Sequence, residues 1–136
     1  MEWAGSKVVV GNGPSLDDLK ARYPAVHFAG KVTGEMLAAH YRSADVFVFP
    51  SRTDTFGMVL IEALACGLPI AAYDVTGPKD IVTEEYLGVL GESDLSEAAR
   101  KALRVGCPTK RADYVRSHYS WRIAGEQFVN GVRTYC

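Results

Sequence analysis

The stretch FGMVLIEALACG, from Phe56 to Gly67, is apolar on every side of a helix except at Glu62. A helix with that pattern is buried on most of its sides, so it must pack against other elements of one core. Cys66-Gly67 predicts where the helix ends, because glycine adopts the left-handed conformation that closes a helix at little cost. The chain is therefore expected to be organised around a buried helix that carries one charge.

Strands flank this helix on both sides. Val46–Phe49 has no polar residue, which is typical of a strand covered on both faces, and Ile70–Tyr73 predicts the strand that follows the helix. Near the N-terminus, the β-branched run Lys7–Val10 predicts a buried strand ending in a tight turn at Gly11–Pro14, and Ser15 is a candidate N-cap for the next helix. Further strands are predicted at Val26–Ala29 and, weakly, Leu87–Leu90, and further helices at Leu16–Tyr23, Thr33–Ser43, about Asp94–Val105, Lys110–His118 and from Trp121 towards Tyr135.

The alternation of strands and helices determines the predicted fold class. It indicates an α/β fold, a Rossmann-like open parallel sheet of about five strands with helices on both faces. A chain of 136 residues is long enough for one domain with its own core and too short for two. Its 48% hydrophobic and 23% charged residues are the composition of an ordinary globular domain.

Composition and charge exclude several classes of function. The net charge of −1 gives no electrostatic basis for binding nucleic acid, and no apolar run approaches the ~20 residues of a membrane span. Met1-Glu2-Trp3 leads into the first strand without the features of a signal peptide. The odd number of cysteines and the lack of CxxC spacing predict reduced thiols in a cytoplasmic protein, with no disulfide or zinc site, at Cys66, Cys107 and Cys136.

Open α/β sheets bind their ligands at the carboxyl ends of the strands. The segments that follow the predicted strands there are Gly11–Pro14, Gly30–Thr33, Pro50–Gly57 and Asp74–Asp80. A ligand site is therefore expected where these loops meet the helix that begins near Phe56.

Glu62 is the residue on that helix that most needs an explanation. A buried carboxylate without a partner is costly, so the chain must have a reason to keep it. A ribose diol is a natural pair of donors for a carboxylate. The alternative is a structural salt bridge to an arginine or a lysine.

The start of the same helix suits a phosphate. Gly57 lacks a Cβ, so a ligand can approach the backbone closely, and the first amides of a helix are unpaired and carry the positive end of its dipole. Asp54 precedes the helix and would either accept hydrogen bonds from a sugar hydroxyl or cap the amides. Taken alone, Phe56-Gly57 is equally consistent with a simple turn from loop to helix.

Gly11-Asn12-Gly13 is a weaker candidate. It has two of the three glycines of a dinucleotide-binding fingerprint, but Leu16 stands where the third is expected and Pro14 removes an amide. Packing is the better explanation for several other conspicuous side chains. They are His27, His40 and His118, expected to be structural histidines, and the helical stripe formed by Trp121, Phe128 and Val132.

The segment DTFGMVLIEALACGLPI, from Asp54 to Ile70, resembles the signature of the group 1 retaining glycosyltransferases, the family-four type with the two-domain GT-B fold. That signature has an acidic residue, seven others and then Glu, around Phe-Gly, and ends in Ala-x-Gly-x-Pro-Val. The segments SADVFVFPS (Ser43–Ser51), VVGNGP (Val9–Pro14) and HFAGKV (His27–Val32) are similar to its flanking elements. The resemblance covers nearly all of the chain and implies the C-terminal, nucleotide-sugar-binding half of a GT-B fold.

The resemblance also implies roles for individual residues. Asp54 and Glu62 become the catalytic candidates, and Gly11 and Gly13 are additional candidates for donor contact. The residues implied beside the donor are Gly30, Lys31 and Val32 at the base, Glu62 at the ribose, the amides near Gly57, Met58 and Val59 at the diphosphate, and Asp54, Thr55 and Phe56 towards the sugar.

The implied reaction needs no metal and no cofactor, since a nucleotide-diphosphate sugar is the donor substrate. It is drawn as a front-face attack in which the leaving phosphate assists deprotonation of the acceptor. Catalysis then consists mostly of positioning and of stabilising the charge on the leaving diphosphate.

The sequence departs from the family pattern in two respects. Position 54 is Asp where Glu is commoner, which resembles a mannosyltransferase-like branch and weakly favours a GDP-mannose-like donor over a UDP-sugar. The family's nucleotide domain begins with another strand–helix unit that supplies an Arg and a Lys to clamp the diphosphate, and nothing before Lys7 can provide it. The N-terminal acceptor domain is missing as well. The chain is therefore expected to be an excised fragment, or a half-enzyme that is inactive without a partner chain. Any peripheral membrane contact would be made by the missing half.

Two other functions remain open. The chain would be a non-catalytic module if it kept the fold but bound a protein through the face that the missing domain once covered, around Trp121 and Phe128. A sugar-nucleotide epimerase of the same architecture is the third hypothesis, and most of the cleft that it requires is missing.

Overall fold

The computed structural model describes residues 4–53 and 58–119. The predicted site residues Asp54, Thr55, Phe56 and Gly57 lie outside the described residues, as does the helix predicted from Trp121. The start of the chain at Met1-Glu2-Trp3 is also outside them.

The strands confirm the predicted parallel α/β architecture. They are β1 (Val8–Val10), β2 (His27–Gly30), β3 (Phe47–Phe49), β4 (Ile70–Tyr73) and β5 (Gly88–Gly91). Every pairing is parallel, and the ladders join the strands in two groups, β1 with β2 and β3-β4-β5 with β4 in the centre. Parallel pairing places the carboxyl ends of the strands of each group at one edge.

The helices follow the strands in the predicted order. They are α1 (Leu16–Arg22), α2 (Gly34–Ser43), α3 (Met58–Ala65), α4 (Pro78–Ile81), α5 (Leu95–Ala102) and α6 (Pro108–His118). The sequence predicted only a turn where α4 begins, because a four-residue helix is too short to show a periodic pattern. Asp94 caps α5 by accepting hydrogen bonds from the amides of Ser96 and Glu97.

The central strand β4 divides the core into two layers. Ile70 and Ala72 pack with Leu60 and Leu64 of α3 on one face, whereas Ala71 packs with α5 on the other. Successive side chains of a strand point to opposite faces, so the wholly apolar β4 needs cover on both. The prediction of helices on both faces is therefore confirmed for the three-stranded group.

The end of α3 is closed as predicted at Cys66-Gly67. The amide of Gly67 donates to the carbonyl of Leu64 and the amide of Leu68 donates to that of Ala63, at 2.9 and 3.0 Å. Gly67 has a φ of +85°, the left-handed conformation that this closing motif requires. A Cβ at this position would also lie 3.0 Å from the Cβ of Pro108, so Gly67 sets the spacing between α3 and α6.

The prediction that Lys7–Val10 is a buried strand is wrong in one respect. The strand forms, but Val8, Val9 and Val10 are 52%, 42% and 39% exposed. Within the described residues β1 forms a ladder with β2 only, and α1 buries none of its side chains. The predicted cap is also wrong, because Ser15 stands at the N-cap position of α1 without a side-chain hydrogen bond.

Arg111 on α6 links the end of α3, the segment before β5 and the segment before α6. It is 3% exposed, and its guanidinium donates to the carbonyl oxygens of Gly67, Tyr86 and Gly106. Burial lowers the pKa of this group from its ordinary value. A buried charge is tolerated when its donors are satisfied, so these carbonyls fix the position of α6 against α3 and the segment before β5.

We expect Arg111→Met to destabilise the chain by roughly 2–4 kcal/mol, because the apolar stem is kept while buried carbonyls lose a charged donor. Urea unfolding followed by circular dichroism measures the change. Arg116→Met on the same helix is the control, since Arg116 is exposed and pairs with Asp113, and it should change stability by less than about 0.5 kcal/mol. Equal stability of the two variants would show that the carbonyl contacts of Arg111 contribute nothing net.

Candidate functional site

The first group of strands presents two glycines at its carboxyl edge. Gly11 follows β1, and its amide donates to the carbonyl of Gly30 at the end of β2 over 2.8 Å. Both glycines have positive φ, +142° and +74°, and a Cβ on either would meet no other atom within 4 Å. The backbone of these two candidates is therefore open for close approach.

The segment after β2 leads into α2. Lys31 is exposed and Val32 is half-buried. Gly13 forms the predicted turn, since its carbonyl accepts a hydrogen bond from the amide of Leu16 at 3.1 Å. These positions accord with ligand access at the carboxyl edge of β2.

Tyr41 connects α2 to the buried helix α3. Its ring lies edge-on to Phe47 at 5.7 Å between centroids and packs with Ala63 and Leu68. The side chain is 8% exposed, so the ring is held from several directions. The structure thereby brings the end of α2 against the middle of α3.

Glu62 is the polar residue at this contact. The hydroxyl of Tyr41 donates a hydrogen bond to Glu62 Oε2 over 3.1 Å. Glu62 is half-buried, so the expectation of a buried carboxylate is too strong. Its burial follows from helix geometry, because Leu60, Ile61, Ala63 and Leu64 turn inward and leave Glu62 at the margin of the core.

The salt bridge weighed as the alternative for Glu62 is not found among residues 4–53 and 58–119, where the ion pairs involve other carboxylates. Tyr41 is instead the donor found within that part of the chain. The sequence pattern did not single out Tyr41 as a partner of Glu62. The available signal was that a tyrosine on a buried helix face needs a partner for its hydroxyl.

Electrostatics keep this cluster in a defined protonation state. Burial, followed by the charge of Glu62, raises the pKa of the Tyr41 hydroxyl well above its ordinary value. Burial also raises the pKa of the Cys66 thiol, with Arg42 opposing the shift and Glu62 adding to it. Tyr41 therefore remains a hydrogen-bond donor and Cys66 a neutral thiol.

The first turn of α3 is accessible. Met58 and Val59 are exposed, at 55% and 36%, whereas Leu60, Ile61, Ala63 and Leu64 after them are buried. The exposed side chains therefore lie in the first turn of α3, where the amides of a helix have no partner within the helix. Glu62 follows Met58 by four positions, so it lies on the same side of the helix one turn further along.

Arg52 is a second residue that sequence reasoning missed. Its guanidinium lies over the ring of Tyr73 at 3.7 Å, which places a cation between the carboxyl ends of β3 and β4. Lys79 of α4 pairs at 3.3 Å with Asp74, the residue that follows β4. The signal in the sequence was the position of Arg52 in a loop after a buried strand, where ligands of parallel sheets bind.

Two of the three histidines make the local contacts expected of structural histidines. His40 Nδ1 lies 2.7 Å from the carbonyl of Met36, and His118 Nδ1 lies 2.9 Å from that of Tyr114. No cluster of three or more His, Cys, Asp or Glu suited to a metal ion is found in the described part of the chain. None of the described helices is long and apolar enough to cross a membrane.

Family comparison agrees with these features. The model of the family described as "Glycosyl transferases group 1" matches residues 6–105. The chain is 40% identical over 95 residues to a GDP-mannose-dependent alpha-mannosyltransferase of Mycolicibacterium smegmatis, covering 70% of this chain and 25% of that protein. It is 30% identical over 136 residues to an alpha-monoglucosyldiacylglycerol synthase of Streptococcus pneumoniae, covering 94% of this chain and 30% of that protein.

Solved structures show the same architecture. Sucrose-phosphate synthase of Thermosynechococcus elongatus superposes with a TM-score of 0.78 at 27% identity, over 94% of this chain and 38% of that one. Anabaena HepE in complex with UDP-glucose also gives a TM-score of 0.78, at 17% identity, over 95% of this chain and 41% of that one. This chain thus spans less than half the length of each of these relatives.

Proposed function

Because the chain belongs to the group 1 glycosyltransferases, we propose that it is the donor-binding domain of a retaining enzyme that transfers a sugar from a nucleotide sugar to an acceptor. The observation that carries the proposal is the state of Glu62: a half-buried carboxylate one turn inside a helix with an accessible N-terminus. No ion pair found in the described residues uses it. A carboxylate so placed is available for hydroxyl donors.

The geometry of α3 fits a nucleoside diphosphate. One helical turn rises about 5.4 Å, so the amides near Met58 and Val59 and the carboxylate of Glu62 are spaced along one face. The amides would bind the diphosphate, which the helix dipole favours, and Glu62 would accept hydrogen bonds from the ribose hydroxyls. Gly57, outside the described residues, would extend the same anion site.

The base and the sugar are assigned to the neighbouring segments. Gly30, Lys31 and Val32 would lie beside the base, with Gly11 and Gly13 as further contacts from β1. Asp54 would contact the donor sugar together with Thr55 and Phe56; these three lie outside the described residues. No metal and no further cofactor is part of the proposed reaction, in which Asp54 and Glu62 are the catalytic candidates.

The names of two similar proteins support two classes of donor nucleotide sugar. One relative is named as GDP-mannose-dependent, and one solved structure with this fold holds UDP-glucose. We propose a GDP-mannose-like donor or a UDP-sugar for this chain. Localisation in the cytoplasm remains a prediction from the sequence.

We further propose that this chain provides only part of the enzyme. The valine side chains of β1 are exposed, and the described ladders fall into two groups. Each group has an edge that a further strand would extend. The strand–helix unit expected to carry the diphosphate clamp would fill that place, with an acceptor domain beside it. The chain by itself would then bind the donor weakly and catalyse no transfer.

The alternative function is a non-catalytic interaction module. The exposure of Val8, Val9 and Val10 favours it, because consecutive exposed apolar residues on a strand are suited to a protein partner. Trp121 and Phe128, which the sequence analysis placed on that face, lie outside the described residues. The epimerase hypothesis gains no support from the described residues.

Sedimentation velocity combined with nucleotide titration distinguishes the two functions. The donor-domain proposal expects stabilisation by one class of nucleoside diphosphate among UDP, GDP and ADP. Self-association without any nucleotide binding would support the interaction module. A monomer that binds no nucleotide, even after the missing strand–helix unit is added in a longer protein, would contradict both.

We expect Glu62→Ala to weaken binding of the preferred nucleoside diphosphate by about 10- to 100-fold, since it removes the carboxylate that accepts hydrogen bonds from the ribose hydroxyls. Isothermal titration calorimetry measures the affinity. Glu97→Ala is the control, because Glu97 is an exposed residue of α5 that pairs with Lys101. The donor-domain proposal is abandoned if Glu62→Ala binds as tightly as the control.

We expect Met58→Glu to separate helix stability from anion binding. A carboxylate at the first turn of α3 stabilises the helix by about 0.3–1 kcal/mol, yet it repels a diphosphate that approaches the same amides. Met36→Glu is the matched control, since Met36 is an exposed methionine in the first turn of α2. Thermal unfolding with and without nucleotide should show a loss of ligand stabilisation for Met58→Glu alone; a similar loss in both variants would contradict a diphosphate site on α3.

A further inference from the structure

We propose that Tyr41 is a positioning residue for ribose recognition: its hydroxyl holds Glu62 Oε2 so that the carboxylate presents Oε1 to a vicinal diol. The inference rests on the proposed donor-binding function and extends it to a residue on a different helix. It assigns to Tyr41 an effect on the selectivity for ribose and not only on the stability of the fold.

The hydrogen bond joins two separately anchored elements. Tyr41 belongs to α2 and Glu62 to α3, and 3.1 Å separates the hydroxyl from Oε2. The ring of Tyr41 is fixed by its edge contact with Phe47 and by Ala63 and Leu68, so the hydroxyl has little freedom to move. A rigid donor therefore determines the position of an otherwise flexible glutamate side chain.

The number of acceptor sites on the carboxylate permits both roles. An ionised carboxylate offers about four lone-pair directions, and Tyr41 occupies one of them on Oε2. Among the described residues, Oε1 receives no hydrogen bond, and none of their buried side-chain oxygens is left without a partner. The carboxylate thus keeps enough acceptor capacity for two adjacent hydroxyls while one oxygen is anchored.

The environment keeps Tyr41 as a donor. Burial and the neighbouring negative charge raise the pKa of its hydroxyl, so it stays protonated over the working range of pH. Arg42, the next residue, is directed to Glu35 at 3.6 Å in place of Glu62. The group that anchors the carboxylate is therefore a neutral hydroxyl.

The test uses the ability of the full chain to distinguish ribose from a sugar without hydroxyls. Calorimetric titration compares the preferred ribonucleoside diphosphate with its 2′,3′-dideoxy analogue in the wild type, Tyr41→Phe and Glu62→Gln. Tyr41→Phe removes one hydroxyl and keeps the buried ring. We expect it to weaken the ribonucleotide about fivefold, the effect of one net hydrogen bond, and to change binding of the dideoxy analogue less than about twofold.

Tyr23→Phe is the control, because Tyr23 is an exposed tyrosine next to α1. It should leave the affinity for both nucleotides unchanged. Thermal unfolding of each variant confirms that the comparison is made between folded proteins. A purely structural role of Tyr41 would lower both affinities by the same factor, and this result would overturn the inference.

The Glu62→Gln variant separates this inference from the function on which it rests. If Glu62→Gln abolishes the preference for ribose and Tyr41→Phe leaves that preference intact, the positioning role is wrong while the donor-binding function stands. If Glu62→Gln also leaves the preference intact, or if neither this chain nor a longer protein with the added strand–helix unit binds either nucleotide, the donor-binding function itself fails. A preference reduced by both variants supports the two together.

Discussion

The burial of α3 against the central strand is the constraint on which the rest of the structure depends. Leu60, Ala63 and Leu64 are inaccessible to solvent, and so are Ile70 and Ala72 of the strand beneath them. Burying each of the leucine and isoleucine side chains contributes on the order of 1.5–3 kcal/mol, which fixes the rotation of the helix about its axis. Its orientation then decides where its polar atoms lie: Glu62 faces α2, and the first amides lie at the carboxyl edge of the sheet.

Polar groups at the margin of this core are satisfied in different ways. Arg111 is buried and donates hydrogen bonds to three backbone carbonyls, so its role is structural. Glu62 is only half-enclosed and takes one hydrogen bond from Tyr41. A buried group bonded to several backbone carbonyls stabilises the fold, whereas a carboxylate with acceptor capacity left at an accessible margin can serve a ligand. This difference separates Arg111 from Glu62 and explains why charge alone does not mark a site.

The two groups of strands differ in how well they are covered. The three-stranded group has apolar layers on both faces, with α3 and α6 on one side and α5 on the other. The pair of β1 and β2 carries exposed valines, and the described helices near it bury little. Apolar strand surface without cover costs stability, so the N-terminal pair is the part of the domain that gains most from a neighbouring element. The proposal that this chain is part of a larger enzyme follows from that imbalance and from its coverage of less than half of its relatives.

The sequence alone determined the class of fold, the order of strands and helices and the stop of α3, because these depend on local periodicity and on the conformational freedom of Gly67. It also directed attention to Glu62, since a charge in an apolar helix is visible without a structure. It did not reveal the hydroxyl of Tyr41 beside that charge, the ring of Tyr73 beneath Arg52, or the carbonyls around Arg111. Those partners are distant along the chain and meet only when helices pack on the sheet. For the same reason, the exposure of Val8–Val10 was not predictable: the pattern of a strand reports that it can be buried, and only the tertiary structure decides whether another element covers it.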